Sequence, residues 1–571
     1  MRRLSTAILF FAAVFGLANV ESHACTNVLV TKGASTDGSN MISYAADSHQ
    51  LYGELYFAPA GVWNPGDMRQ ITEWDTGKPL GYIPQIGRTY QRVGNMNEHQ
   101  LIIAETTYGG RPELWDSTGV MDYGSLIYVA LERARTAREA IKVVVDLANT
   151  YSYYSSGESF SFADKDEVWV IDLIGKGPDN KGIVWVARRV PDGYICAHAN
   201  QARISTFPLD DPENCMYAPD VISFAREKGY FSGQDKDFSF CDAYAPLDFG
   251  GMRGCEARAW AAFNILCDGK FTFEDENGNI VTKDADDYLE YAMGWDKTKR
   301  FPLFAKPSRK ISMKNVADVM RDHYEGTPMD MTRAEDAGTG GTGLAYRWRP
   351  MNFEVDGVKY LNERATATQQ TGFWFVAQSR KWLPDPVGGI LWFGVDDAAT
   401  SALTPIYCAT SEVPECFSQE NGSMLEYSDK SAFWLVNRVA NFAYLRYNRI
   451  AADIRKQIDR WENSCIEEVA QIDKIATAKY ERSPKAAIKY TTRYSTAKAA
   501  QMFESWSELD KYLLTRYIDG NIKAEVSERK FKDNGHDATI PGDIIFEGYG
   551  EAWKRAVAAS DNGTLRVPDN K

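Results

Sequence analysis

Residues 25–48 read CTNVLVTKGASTDGSNMISYAADS, and this stretch decides how the chain begins to fold. Thr26 to Thr31 is an extended, β-branched run. Residues 33–38 (GASTDG) are dense in turn formers, and Ser39 to Tyr44 is a second extended run. Folding the two runs antiparallel about residue 35 or 36 sets Cys25 opposite a residue near 45 to 47. The arithmetic brings Asp47 beside Cys25.

The residues before Cys25 give that pairing chemical meaning. Arg2 and Arg3 are followed by the apolar run AILFFAAVFGLANV (7–20), and Ser22-His23-Ala24 places small residues at −3 and −1 of a cut before Cys25. This is the grammar of a secretory signal peptide over residues 1–24. The apolar run is shorter than the roughly 18–20 residues of a membrane span, and no later stretch is long and apolar enough to be one. The mature protein is therefore expected to be extracytoplasmic, periplasmic or secreted. A lipid-modified cysteine is the competing reading of Cys25. Ser22 and His23 fit that signal poorly, since it prefers a branched apolar residue at −3 and a small one at −2.

A processed N-terminal cysteine carries its own base. The α-amine titrates at about 7.7–8.0 and the thiol near 8.5, and they lie a few bonds apart. The amine can take or relay the thiol proton while the thiolate attacks an amide carbonyl. Such a site needs a carboxylate to hold the amine, which Asp47 can supply, and donors for the oxyanion.

Composition removes other classes. A net charge of −14 argues against a nucleic-acid binder. Only six histidines occur, with no H-E-x-x-H and no C-x-x-C, so neither a metal site nor a His-based triad is expected. No metal or organic cofactor is implied. Setting Cys25 apart leaves eight of the nine cysteines, for which an oxidising compartment permits disulfides. Cys408 and Cys416 are close enough in sequence to close a local loop. Gly338, Gly340 and Gly343 spell G-x-G-x-x-G, but a polar run precedes them where a dinucleotide site needs a buried strand, so they read as a loop.

More hairpins follow the first. Residues 88–94 and 100–107 flank a turn at 95–98, and 159–163 and 167–173 flank Asp164-Lys165-Asp166. GIVWVARRV precedes the Pro191-Asp192-Gly193 turn. Residues 124–148 have helical apolar spacing, with Thr136 and Glu139 marking a cap that divides them. From residue 428 the pattern becomes long amphipathic helices. The expected organisation is a layered α/β domain over 25–427 and a helical C-terminal extension over 428–571.

Several segments together resemble the C69 dipeptidases, N-terminal-nucleophile hydrolases related to penicillin V acylases and bile salt hydrolases. They are the start at Cys25 with Asp47-Ser48, NEHQLIIAETT (97–107), LERARTAREAI (131–141), GESFSFADKDEVWVID (157–172), PDGYICAHANQARI (191–204), GCEARAW (254–260) and EGTPMDMT (325–332). The resemblance implies a four-layer αββα fold with antiparallel sheets and hydrolysis of dipeptide amide bonds. It implies Cys25 as nucleophile, Asp47 as the carboxylate by its amine, Asn200 as oxyanion or substrate asparagine, and Arg258 as electrostatic support. Thr107 stands where related acylases place a second asparagine. Relatives usually carry Arg three residues before the Asp47 equivalent; here it is Tyr44, which brings no fixed charge. Arg253 and Arg203 are candidates to supply one instead. Two alternatives stay open: an amidase of the same fold acting on N-acyl amides or bile-salt-like conjugates, and a catalytically impaired surface lipoprotein.

Overall fold

The computed structural model describes residues 25–333, 341–523, 532–533, 539–540 and 544–567. The expected leader and Gly338 and Gly340 lie outside the described residues; Gly343 lies in irregular chain. The opening hairpin forms as its arithmetic requires. β1 (Thr26–Val30) pairs antiparallel with β2 (Asn40–Asp47) in the register Thr26↔Ala45 to Val30↔Met41. Every residue of both strands is buried. A strand buried on both faces reads as a continuous rather than an alternating run, which is how TNVLV reads.

The protein is α/β, with two large antiparallel sheets. One has seven strands in the order Phe304–Ala305, Ile195–His198, β1, β2, Thr371–Ser379, Gly389–Val395 and Thr404–Tyr407. The other has eight, with Ile102–Tyr108, Gly157–Ala163, Val168–Gly175 and Ile183–Arg189 at its centre. The sheets meet where β1 and β2 pack on Ile102–Tyr108 and Gly157–Ala163. Helices Tyr123–Arg133 and Ala137–Tyr151 pack on the eight-stranded sheet; Ala257–Leu266, Met313–Met320, Ala432–Leu445 and Pro484–Tyr517 pack on the seven-stranded one. Thr136 caps the second helix, its side chain accepting from the Glu139 amide, so the apolar stretch is two helices. No described helix is long and apolar enough to cross a membrane.

Two expectations change. The turn expected at 95–98 is two tight turns: Val93 pairs with Met96 about Gly94-Asn95, and Met96 pairs with Ile102. Gly94 and Gln100 take positive φ there, 52° and 68°, which lets the chain reverse twice in a space that alternation assigns to one turn. The expected Cys408–Cys416 bridge is absent, and all nine cysteines are free thiols. Their thiols point apart, Cys408 donating to Asp385 O and Cys416 to Ala499 O.

Between the sheets lies a polar thread. Asn27 Nδ2 donates to Glu105 O (2.9 Å), and Ser161 Oγ donates to Asn27 Oδ1 (2.8 Å). With its proton so committed, Ser161 accepts from His198 Nε2 (2.7 Å), and Thr106 donates to Nδ1 (2.7 Å). His198 is thus a neutral core histidine, its pKa pushed down to about 3, mainly by burial and then by Arg203. A folded pKa below the unfolded value near 6.5 means that this stabilisation is complete above pH 6.5 and is lost as pH falls toward 3. Between pH 7 and 5 the wild type should therefore lose about 2 kcal/mol more unfolding free energy than His198→Gln. Urea titrations at the two pH values measure this, and equal losses would refute it.

Candidate active site

Cys25 is 4% exposed at the start of β1. Its thiol donates to Glu105 Oε1 (3.3 Å) and lies 3.7 Å from Tyr44 Oη. The Tyr44 hydroxyl donates to the same Glu105 oxygen. Burial, then the negative charges of Glu105 and Asp47, push the thiol well above its ordinary pKa; the Asp47 amide and the Tyr44 hydroxyl pull only weakly the other way. The resting sulfur is a neutral thiol, so attack on a carbonyl requires a proton acceptor at the moment of reaction.

Asp47 is aimed by a register shift. β2 pairs Ala46 with Phe373 but Asp47 with Thr371, an irregularity of the kind that redirects side chains beside functional sites. Its carboxylate accepts from Arg364 Nη2 (2.6 Å) and Thr371 Oγ1 (2.6 Å). Burial still outweighs Arg364 and raises its pKa.

The third group hangs on Arg258. A π-helical stretch, Gly251–Glu256, runs directly into the helix Ala257–Leu266, and Arg258 projects from the junction. It donates through Nη1 to Cys25 O (2.6 Å) and Thr26 Oγ1 (2.8 Å), and through Nη2 to Asn200 Oδ1 (2.8 Å). Burial, then Arg364, lower its pKa. Asn200 has φ 56°, a conformation asparagine tolerates, just beyond the strand Ile195–His198. Its Nδ2 donates to Thr107 O (2.7 Å), and Thr107 Oγ1 donates to Glu158 Oε2 (2.9 Å). A cavity of about 310 Å³ is lined by Ser48, the residue after Asp47, with Leu51, Glu54, Tyr56, Trp74 and Asp75.

All six candidates from the sequence, Cys25, Asp47, Tyr44, Thr107, Asn200 and Arg258, meet in this one hydrogen-bonded cluster. Two others do not reach the thiol. Arg203 is spent on Glu256 and on the carbonyls of Ala197 and Pro302, and Arg253 pairs with Glu363. The arginine on Asp47 is Arg364, which sequence reasoning missed. Glu105 and Glu158 were missed as well, although both stand inside quoted motifs. Both lie in buried stretches of their strands, where an ionisable side chain is costly unless it is partnered. Among the described residues no group of three or more His, Cys, Asp or Glu is placed to hold a metal ion.

A thiol beside carboxylates, with guanidinium groups fixing the backbone around it, is chemistry suited to acyl transfer. The chain belongs to peptidase family C69, whose model matches residues 64–460. That span begins after Cys25 and Asp47 and includes Glu105, Thr107, Glu158, Asn200, Arg258 and Arg364. The chain is similar to a probable dipeptidase of Latilactobacillus sakei, 22% identical over 78% of this chain and 87% of that protein. Dipeptidase A of Lactobacillus helveticus is 23% identical over 74% of this chain and 82% of its own. A probable dipeptidase of Salmonella dublin is 23% identical over 70% and 84%.

Proposed function

We propose that the mature protein begins at Cys25 and is a secreted dipeptidase that uses this N-terminal thiol as nucleophile. The reading takes residues 25–427 as a four-layer αββα N-terminal-nucleophile domain and 428–571 as its helical extension. The observation that carries it is the anchoring of Cys25 itself: Arg258 holds its carbonyl at 2.6 Å, and Asp47 and Glu105 lie about its thiol. The residue that leader removal would turn into an amine is thus held at both its carbonyl and its thiol. Membership of the family and relatives named dipeptidases support the reaction class.

In this mechanism Sγ attacks the peptide carbonyl, the amino-terminal product stays on sulfur as a thioester, and water releases it. Asp47 holds the α-amine, Asn200 and the backbone near Thr107 face the oxyanion, and Arg258 fixes the nucleophile's backbone. The cavity that reaches the site's chain at Ser48 is within the size range of small-ligand pockets and suits a two-residue substrate. The test is protein with its N-terminus verified at Cys25, assayed against a dipeptide panel and against N-acyl amino acids. Dipeptides should be cleaved with kcat/KM at least about tenfold above N-acyl amides, the discrimination one or two lost polar contacts would give. The reverse order would replace the dipeptidase with an acylase, and turnover of neither would remove both.

A further inference from the structure

Two buried carboxylates beside the thiol have no part in the scheme above. Glu105 and Glu158 are both fully buried, 0% exposed. Glu158 Oε2 accepts from Thr107 Oγ1 (2.9 Å) and Tyr153 Oη (3.1 Å). Glu105 Oε1 accepts from Tyr44 and from the Cys25 thiol. That leaves one oxygen of each, Glu105 Oε2 and Glu158 Oε1, buried without a protein donor. Each carboxyl group perturbs the other, Glu105 adding to burial in pushing the Glu158 pKa well up, and a single proton shared between them would satisfy both bare oxygens. The dyad thus turns its accepting outer edges to the tyrosine, threonine and cysteine donors and would keep its proton on the inner edge.

We propose that Glu105 is a catalytic residue of this site: its Oε1 takes the proton of the Cys25 thiol, with Glu158 as the protonated partner and Tyr44 as the positioning residue. This rests on the reading of Cys25 as the nucleophile. As the Sγ–C bond forms, the S–H bond breaks, its proton passes to Glu105, and the carbonyl electron pair moves to oxygen. The α-ammonium of Cys25 then protonates the leaving nitrogen as the C–N bond breaks, and it becomes the free amine. In deacylation that amine removes a proton from the attacking water. The departing sulfur recovers its proton from Glu105, which restores thiol, carboxylate and ammonium.

The division of labour follows from the surroundings. The α-amine, expected from the sequence to be the base, has an ordinary pKa near 7.7–8.0 and is largely protonated at neutral pH, so in this scheme Glu105 replaces it as first acceptor and the ammonium serves as the acid. Glu105 is a stronger base than a surface carboxylate, because burial raises its pKa first of all. The titratable groups that face it are Cys25, Tyr44, Asp75, Tyr123, Tyr128 and Glu158, all neutral or acidic. The arrangement also accounts for a tyrosine at position 44: a phenol can aim Oε1 at the sulfur without neutralising the base.

Mature wild type, Glu105→Gln and Tyr44→Phe should be compared in two assays across pH 5–9. In dipeptide hydrolysis Glu105→Gln should lose about 100- to 1000-fold in kcat/KM, the usual scale of a lost general base. In alkylation of Cys25 by iodoacetamide the same variant should react at lower pH than wild type, because a negative charge beside the thiol is gone. A better thiolate with poorer hydrolysis is a pattern that a merely structural role would not produce. Tyr44→Phe removes one hydrogen bond from the ionised carboxylate, so the acid limb of its kcat/KM profile should move to higher pH. Hydrolysis by Glu105→Gln within threefold of wild type, or an unmoved alkylation profile, would overturn the proposal. Should that variant not fold, an unmoved acid limb in Tyr44→Phe would do so. Wild type that alkylates as described yet cleaves no dipeptide would sink the dipeptidase reading and leave the proton acceptor standing.

Discussion

Cys25→Ala, made with the leader cleavage site intact, should reduce dipeptide hydrolysis to background, a fall in kcat/KM of at least about 10⁴-fold. The methyl group cannot form the thioester, and no second thiol is placed to replace it. Cys196 and Cys255, the cysteines whose charged neighbours include Arg203, Glu256, Arg258 or Arg364, belong to the packing around the site and have raised pKa values. Folding should survive, since the sulfur's side-chain partners among the described residues, Glu105 and Tyr44, bond to each other without it. A companion variant that retains one residue before Cys25 keeps the thiol but converts the α-amine to an amide. It should be inactive as well, because an amide neither donates a proton to the leaving nitrogen nor accepts one from water. Intact mass fixes the N-terminus of each preparation. Hydrolysis that persists in Cys25→Ala would move the nucleophile elsewhere.

How much of this arrangement can be read from the sequence depends on the range of each contact. The opening hairpin was legible because its nine-residue connection, 31–39, is rich in Gly, Ser and Asp and is flanked by two extended runs. The observed pairing Thr26↔Ala45 centres on the residues expected, and Asp47 therefore falls beside Cys25. Arg258 and Asn200 lie more than 170 residues from Cys25, and only the family motifs could connect them. Arg364 lies in a polar run, NERATAT (362–368), with no pattern of its own. Its approach to Asp47 depends on β2 pairing with Thr371–Ser379, a juxtaposition of strands over 300 residues apart. Glu105 and Glu158 come together through the register Thr107↔Glu158, one diagonal step from Glu105. Each glutamate alone looks like the solvent-facing residue of an alternating strand. Only the covered faces of both strands turn the pair into a buried acid dyad, and burial is a property of the assembled layers.

Arg258→Met should lose about 100- to 1000-fold in kcat/KM, the scale of removing a preorganised electrostatic contact, and should also unfold at lower denaturant. The side chain is 1% exposed and makes five hydrogen bonds, to Cys25 O, Thr26 Oγ1, Ala199 O, Asn200 Oδ1 and Gly254 O. Methionine fills much of the volume but satisfies none of these acceptors, and each buried acceptor left bare costs about 1–3 kcal/mol. Arg258→Lys separates charge from geometry. An ammonium restores the positive charge beside Asp47, yet it cannot span Cys25 O and Asn200 Oδ1 at once as the fork does. If the arginine acts by tying the nucleophile's backbone to Asn200, lysine should recover stability better than turnover, with kcat still depressed about tenfold or more. Full recovery of kcat by lysine would show that charge alone is needed. Arg364, already bonded to Asp47 and lowering the pKa of Arg258, would then be the more important of the two guanidinium groups.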